Sequence, residues 1–284
     1  MNLYNETKFI MKQNNIIANK NLGQNFLINE NVVDTIVDSA QIGKEDLIIE
    51  IGPGLGTLTS KLVEKAGKVI CVEIDKKMIH ILENRFQLYK NIEIINEDIL
   101  KLNLEKIIKE NKNEKIKKAK VVANLPYYIS TPIIMKLLEN NEIIDEIIVM
   151  VQKEVGDRLT AKTGERLAGA ITYAVSYYSN ASKVIDVPKE SFIPSPKVES
   201  VVIKLELKKN VQEENKELLF KIIKSAFAQR RKTLENALIN GKIVTSKEKI
   251  QEIFDKLGIE KNVRGENLSL EQYESLCKII VKSL

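Results

Sequence analysis

The chain has 284 residues, of which 44% are hydrophobic and 29% charged, and its formal net charge is +5. This length predicts one large domain, or a large and a small one, with enough apolar residues for a sizeable core. No apolar run approaches the roughly 18 residues of a membrane-spanning helix, and residues 1–20 lack the apolar stretch of a secretory signal. We therefore expect a cytoplasmic protein without membrane association, with residues 1–20 flexible.

Cysteine and histidine usage argues against metal chemistry. The two cysteines, Cys71 and Cys277, are far apart and lie in apolar contexts, which is typical of reduced core residues. The only histidine, His80, lies in a helical pattern. We expect neither a disulfide nor a metal site.

In chain order, a helical pattern at 29–40 is followed by strand and helix patterns that alternate. The predicted strands are 47–51, 68–73, 92–95, 119–123 and 144–151. The predicted helices between them are 57–66, 75–88, 104–117 and 131–139. Such alternation is typical of βαβ units and predicts an α/β fold with a Rossmann-like parallel sheet.

The pattern changes after residue 151. Helical patterns at 153–161 and 166–179 precede strand-like runs at 183–187 and 200–206, which we expect to complete the sheet. From there on the pattern is helical, at 213–240, 246–257 and 269–283. We predict a domain at 1–206 that contains the sheet and a small all-helical domain at 207–284.

Positive charge is concentrated in the predicted C-terminal domain. Residues 207–284 carry 16 basic and 11 acidic side chains, which accounts for the whole net charge of +5. The densest basic run is Arg230-Arg231-Lys232. Because arginine presents a fork of donors that matches phosphate, this run favours contact with a nucleic-acid backbone, although a solvated surface is the alternative.

A glycine-rich segment, Gly52-Pro53-Gly54-Leu55-Gly56, joins the first predicted strand to the helix at 57–66. Such a turn allows close approach of a ligand to the backbone. Its spacing is G-x-G-x-G, one residue shorter than that of dinucleotide binders. Two acids, Glu73 and Asp98, follow the next two strands, where they can accept hydrogen bonds from ribose hydroxyls and an adenine amine.

The segment Asn124-Leu125-Pro126-Tyr127 follows the apolar run at 121–123. An amide oxygen and a backbone carbonyl can accept both hydrogens of an exocyclic amine, and a tyrosine face can stack on a purine. Pro126 restricts the backbone, so the acceptors point at a fixed position. A simple turn is the alternative for this segment alone, but its position at a fourth strand end favours a ligand site.

These motifs resemble the KsgA/RsmA family of small-subunit (16S) ribosomal RNA adenine dimethyltransferases, nearly from end to end. Further matching segments are Asn21 to Leu27, Gln152 to Val155, Phe192 to Val198, Phe227 to Leu234 and Arg264 to Ser269. One departure is Arg166-Leu167-Ala168-Gly169, which lacks the aromatic residue expected near Ala168. This departure affects expected RNA contacts but leaves the catalytic segments intact.

The resemblance implies methyl transfer from S-adenosylmethionine to N6 of adenine, without a metal. It implies that a particular set of residues binds this cofactor: Asn25, Leu27, Gly52, Gly54, Gly56, Glu73, Ile74, Asp98, Ile99 and Asn124. Catalytic roles are implied for Asn124, Leu125, Pro126, Tyr127 and Phe192. Phe192 is a candidate for stacking on the target base, with a core anchor as the alternative.

The resemblance also implies a partner: ribosomal RNA, within a small-subunit pre-ribosomal particle, bound by a monomer. Contacts with RNA are expected from Lys197, Arg230, Arg231 and Lys232. Within the enzyme class, the alternative is a large-subunit (23S) RNA adenine methyltransferase of the antibiotic-resistance type. Two interpretations from other classes are a non-enzymatic assembly factor and a nucleotide-dependent oxidoreductase. The early third glycine and the segment 124–127 both argue against the oxidoreductase.

Overall fold

A computed structural model describes residues 2–19, 22–211, 214–229 and 231–283. Its strands, in chain order, are β1 (Phe26–Leu27), β2 (Asp46–Ile51), β3 (Lys68–Glu73), β4 (Ile92–Asn96), β5 (Lys118–Asn124), β6 (Glu146–Gln152), β7 (Ser179–Val187), β8 (Phe192–Ile193) and β9 (Ser200–Leu207). Its helices are α1 (Leu3–Gln13), α2 (Glu30–Ser39), α3 (Thr57–Lys65), α4 (Lys76–Phe86), α5 (Leu104–Asn111), α6 (Ser130–Leu138), α7 (Lys153–Thr160), α8 (Ala170–Tyr178), α9 (Lys216–Ala228), α10 (Leu234–Asn240), α11 (Lys247–Leu257) and α12 (Leu270–Ser283).

The main sheet has seven strands in the order β4-β3-β2-β5-β6-β9-β7. Strands β4, β3, β2, β5 and β6 are parallel, and β9 runs antiparallel to β6. The central strands are apolar runs, and all six residues of β2 are buried, as expected for a sheet covered on both faces. The predicted α/β fold with a Rossmann-like sheet is therefore confirmed.

The chain divides into two compact units. The first consists of residues 1–156 and 180–209 and contains the sheet; the second consists of residues 157–179 and 210–284 and is helical. The predicted boundary at 206/207 thus lies close to one junction, but it assigned 157–179 to the sheet domain. Aromatic packing explains the difference, because Tyr173 lies 5.1 Å from Tyr273 and 5.3 Å from Phe227 between ring centroids.

The N-terminal segment differs from the flexible tail expected for residues 1–20. Helix α1 begins after Asn2, whose side chain accepts a hydrogen bond from the Asn5 amide and so caps the helix. Ile10 is buried in a small apolar cluster with Phe26 and Leu55. The short apolar groups of this segment, separated by asparagines and lysines, gave no clear signal for this packing.

One ion pair is buried beside the central strand. The Lys120 ammonium lies 3.0 Å from the Asp46 carboxylate, and the two side chains are 5% and 3% exposed. The same ammonium donates hydrogen bonds to the backbone carbonyls of Ala40 and Gln41. A buried pair of this kind holds its charges only while both partners are present.

We expect Lys120→Ala to lower the free energy of unfolding by roughly 3–5 kcal/mol, because it leaves the Asp46 carboxylate buried without its cation. Urea denaturation followed by circular dichroism measures this loss. The matched control is Lys117→Ala, which removes an exposed pair with Glu45 and is expected to cost at most about 1 kcal/mol. Equal losses in the two variants would contradict the assignment of a buried ion pair.

Candidate active site

A cavity of about 230 Å³ lies at the edge of the sheet where the parallel strands end. Segment 22–27 and the loops that follow β2, β3, β4 and β5 form its walls. Most residues predicted for the site line it together: Asn25, Leu27, Gly52, Gly54, Glu73, Ile74, Asp98, Ile99, Asn124, Leu125, Pro126 and Tyr127.

The glycine-rich loop leaves β2 through backbone conformations that favour glycine. Gly54 has φ +58, and a Cβ atom there would lie 3.3 Å from the Phe26 ring. Its amide donates a hydrogen bond to the Glu73 carboxylate, 3.2 Å away. A side chain at this position would be strained and would crowd the cavity wall, so the loop requires glycine here.

Gly56 was expected to contact the cofactor, but it is not among the described residues that line the cavity. It caps the start of α3 with φ +83, and an added Cβ would lie 2.6 Å from the Phe86 ring. Gly56 therefore allows α4 to pack closely under the loop, and its predicted contact with a ligand is not part of this geometry.

Arg85 supports the glycine-rich loop from below. Its guanidinium donates one hydrogen bond to the Leu55 carbonyl and another to the Glu6 carboxylate, 2.6 Å away. This arginine thereby connects helix α1 with the loop. A guanidinium is well suited to this because its donors form a fixed fork.

Glu73 ends β3 with its carboxylate held in the cavity wall. One oxygen accepts hydrogen bonds from the amides of Ile74 and Asp75, both 2.9 Å away, and the other accepts from Gly54. Burial raises the pKa of the Glu73 carboxyl, and the three backbone hydrogen bonds oppose that rise. The carboxylate is thus fixed in orientation at the point where a ribose is expected.

Asp98 and Ile99 follow β4 on the neighbouring wall. The Asp98 carboxylate accepts a hydrogen bond from the Leu100 amide at 2.9 Å, and Ile99 is buried. Lys136 on α6 donates to the carbonyls of Leu100 and Leu102, at 2.9 and 2.6 Å. These contacts hold the loop that carries Asp98 against α6.

The segment 124–127 forms the opposite wall at the end of β5. The Asn124 amide nitrogen donates a hydrogen bond to the Asn25 carbonyl at 3.2 Å, which leaves the amide oxygen as the acceptor. The Leu125 amide donates to the Met150 carbonyl at 3.1 Å, and Pro126 has φ −63. The Tyr127 hydroxyl lies 2.5 Å from the Ser200 hydroxyl, and burial raises its pKa.

Phe192, expected to stack on the target base, does not line the cavity. It is 3% exposed and belongs to the main apolar core together with Leu27. The two residues are paired across the short antiparallel ladder of β1 and β8. The structure therefore favours the alternative, in which Phe192 anchors the proline-rich loop in the core.

Glu50 and Gln24 are among the cavity-wall residues that were not predicted as site residues. Glu50 is 1% exposed, accepts a hydrogen bond from the Thr59 hydroxyl at 2.6 Å, and lines the cavity. Desolvation raises its pKa to about 7. Gln24 donates to the Asp75 carboxylate at 2.8 Å. An acid inside a buried strand was the available signal for Glu50; Gln24 gave none outside the family pattern.

The expected RNA contacts are only partly described. Arg231, Lys232 and Lys197 are exposed, as a phosphate contact requires, whereas Arg230 lies outside the described residues. Within the part of the chain that the structure describes, no cluster of three or more histidine, cysteine or acidic side chains is suited to hold a metal ion. No described helix is long and apolar enough to cross a membrane.

The sheet order and the cavity at its carboxyl edge define the class as a Rossmann-like methyltransferase, and comparisons with known proteins specify it. A family model described as "Ribosomal RNA adenine dimethylase" matches residues 15–282. The chain therefore belongs to this family, and the resemblance inferred from its motifs is confirmed.

Relatives match over almost their whole lengths. The chain is 48% identical to "Ribosomal RNA small subunit methyltransferase A" of Lachnoclostridium phytofermentans, covering 97% of this chain and 96% of the relative. The protein of that name from Alkaliphilus metalliredigens is 45% identical, with coverage of 96% and 95%.

Solved structures agree with the fold. A dimethyladenosine transferase from Plasmodium falciparum superimposes with a TM-score of 0.75 at 28% identity, covering 90% of this chain and 98% of the other. The 23S rRNA methyltransferase ErmE gives 0.68 at 21% identity, with coverage of 90% and 100%. At that identity the second likeness shows the fold alone.

The raised pKa of Glu50 predicts a pH-dependent stability. Between its ordinary value of 4.5 and about 7, the unfolded carboxyl loses its proton while the folded one keeps it. Stability therefore falls as pH rises through this window and is constant above it. Glu50→Gln removes this loss, so its stability relative to the parent protein should rise by up to about 3 kcal/mol from pH 4.5 to 7.

Urea denaturation at several pH values measures the difference. The control is Glu45→Gln: Lys117 lowers the pKa of the exposed Glu45 carboxyl, so any change has the opposite sign and is small. A Glu50→Gln difference that does not vary with pH would contradict the assignment.

Proposed function

We propose that this protein transfers methyl groups from S-adenosylmethionine to N6 of adenines in small-subunit ribosomal RNA. The observation that carries the proposal is the orientation of the Asn124 amide. Its nitrogen is committed to the Asn25 carbonyl, so its oxygen is available as an acceptor in the same cavity as Glu73 and Asp98. The expected products are N6,N6-dimethylated adenines, two adjacent ones in a 3′-terminal hairpin loop.

The residues present fit the cofactor part by part. Glu73, held by three backbone amides, accepts from the ribose hydroxyls. Asp98 and the Ile99 backbone select the adenine, beside the exposed side chain of Ile74. The loop from Gly52 to Gly54 and the segment from Asn25 to Leu27 hold the methionine end. The bound cofactor supplies an electrophilic methyl group on a cationic sulfonium, which suits a cavity lined by several carboxyl groups, those of Glu50, Glu73, Glu97 and Asp98.

The N6 amine of adenine is a weak nucleophile, because its lone pair is delocalised into the ring. The Asn124 amide oxygen and the Leu125 carbonyl accept the two amine hydrogens, which favours a pyramidal nitrogen with its lone pair toward the methyl. Tyr127 stacks on the base, an interaction worth about 1–3 kcal/mol. Much of the acceleration is orientation, for which well-placed reactants can contribute roughly 7–11 kcal/mol.

The substrate chemistry sets the RNA context. An adenine reaches this cavity only when it leaves its stack or lies in a loop. We place the reaction within a small-subunit pre-ribosomal particle in the cytoplasm, with the enzyme acting as a monomer, because one chain supplies every wall of the cavity. Phosphate contacts come from Lys197 and from the run Arg230-Arg231-Lys232, the latter in the basic C-terminal region.

Large-subunit adenine methylation is the second candidate within the same chemistry. The relatives at 45–48% identity carry small-subunit names, whereas the large-subunit enzyme ErmE shares the fold at 21%. The oriented Asn124 amide argues against a non-enzymatic assembly factor, which would not require it. Mass spectrometry of ribosomal RNA from cells lacking the gene distinguishes all three, through the missing methylated nucleosides.

We expect Asn124→Ala to lower the turnover number for methyl transfer by roughly 10²–10³-fold, because it removes an acceptor aimed at the reacting nitrogen. S-adenosylmethionine should still bind, as measured by calorimetry. Asn111→Ala is the control, since that amide bonds within α5 away from the cavity. Turnover retained in Asn124→Ala would remove this residue from the mechanism.

The basic run can be tested without truncation, which would separate α8 from its aromatic partners in the C-terminal helices. We expect Arg231→Ala/Lys232→Ala to weaken RNA binding and to reduce the salt dependence of the binding constant by about one unit of slope per residue. Fluorescence anisotropy over a salt series gives both quantities. The control is Lys261→Ala/Lys278→Ala, which removes two other exposed lysines. An unchanged slope in Arg231→Ala/Lys232→Ala would exclude the basic run from contact with RNA.

A further inference from the structure

We propose that Ser200 is a positioning residue for the target base. Its hydroxyl fixes the Tyr127 ring at the orientation in which the ring face meets the adenine. The proposal rests on the proposed function, because it concerns the residue that stacks on the substrate. The observation behind it is the 2.5 Å contact between the Tyr127 and Ser200 hydroxyls at the cavity wall.

The sheet topology brings Ser200 to the site. Strand β9 is antiparallel to β6, with Ser200 paired to Gln152, so β9 begins at the edge where the parallel strands end. Ser200 is fully buried. The backbone next to it is held as well, since the Lys153 amide donates to the Glu199 carbonyl at 3.0 Å. Its hydroxyl is therefore a fixed point beside a half-buried ring.

Tyr127 is held at both ends of its side chain. At the backbone end, the Leu125 amide bonds to the Met150 carbonyl and Pro126 restricts the turn. At the far end, the hydroxyl bonds to Ser200. With the far end free, the ring can turn about its side-chain bonds, and a buried hydroxyl without a partner favours such a turn toward water.

Of the two rings expected to stack on the target base, Tyr127 and Phe192, only Tyr127 lines the cavity. Phe192 lies in the core, eight residues before Ser200, and pairs with Leu27 through β8 and β1. The segment between them is thus anchored at its start by Phe192 and at its end by Ser200.

The test uses the full-length protein with Ser200→Ala, Tyr127→Phe and the double variant. Each single variant removes one partner of the same hydrogen bond. We expect kcat/KM for RNA to fall roughly three- to tenfold in each, with unchanged affinity for S-adenosylmethionine. The double variant should fall no further than either single one, because the shared contact is lost only once.

Two further variants separate positioning from folding. Ser200→Cys keeps the shape of the side chain with a slightly larger atom but bonds weakly through sulfur, so it should resemble Ser200→Ala in kcat/KM. Ser191→Ala removes another buried serine on the same segment, whose partner is Asn29; it should leave kcat/KM unchanged even where it lowers the melting temperature.

Several results would overturn the proposal while leaving the function intact: Ser200→Ala within twofold of the parent protein, Tyr127→Phe fully active, or additive losses in the double variant. Loss of melting temperature without loss of kcat/KM would assign Ser200 a structural role only. Absence of methyl transfer by the parent protein would instead refute the proposed function itself.

Discussion

The common direction of five neighbouring strands is the constraint on which the site depends. Because β2, β3, β4 and β5 are parallel and adjacent, the residues that follow each strand arrive at one edge of the sheet. Residues as distant in sequence as Gly52 and Tyr127 thereby line one cavity. Ladder hydrogen bonds and buried apolar faces hold this edge in place, so the polar side chains there need only local support.

That support comes from residues outside the cavity that hydrogen-bond to its wall. Arg85 holds the glycine-rich loop through the Leu55 carbonyl, and Lys136 holds the loop after Asp98. Ser200 holds the Tyr127 ring. In each case a hydrogen-bonding side chain on a rigid helix or strand fixes a loop or a ring of the site, as a preorganised site requires. The chemistry thus depends on contacts made by residues that lie outside the sequence motifs of the cavity.

This division explains what the sequence could predict. Strand ends follow from apolar runs and their breaks, so Glu73, Asp98 and Asn124 could be placed at the edge before the structure was known. Gly56 and Phe192 have the residue types of a site but serve packing, and only the contact with the Phe86 ring or the pairing with Leu27 shows it. Likewise, the helix 170–178 belongs with the C-terminal helices through aromatic contacts that leave no local signal.

The choice of an amide at residue 124 follows from the two tasks of that side chain. Its nitrogen donates to the Asn25 carbonyl, which ties the wall at β5 to the segment 22–27 across the cavity. A carboxylate has no donor for this contact, and its oxygen would repel the carbonyl. It would also add a further charge to a wall that already buries Glu50 and Glu73. Asparagine carries a donor and a neutral acceptor on separate atoms of one short group, so a single residue both closes the cavity and aligns the nucleophile.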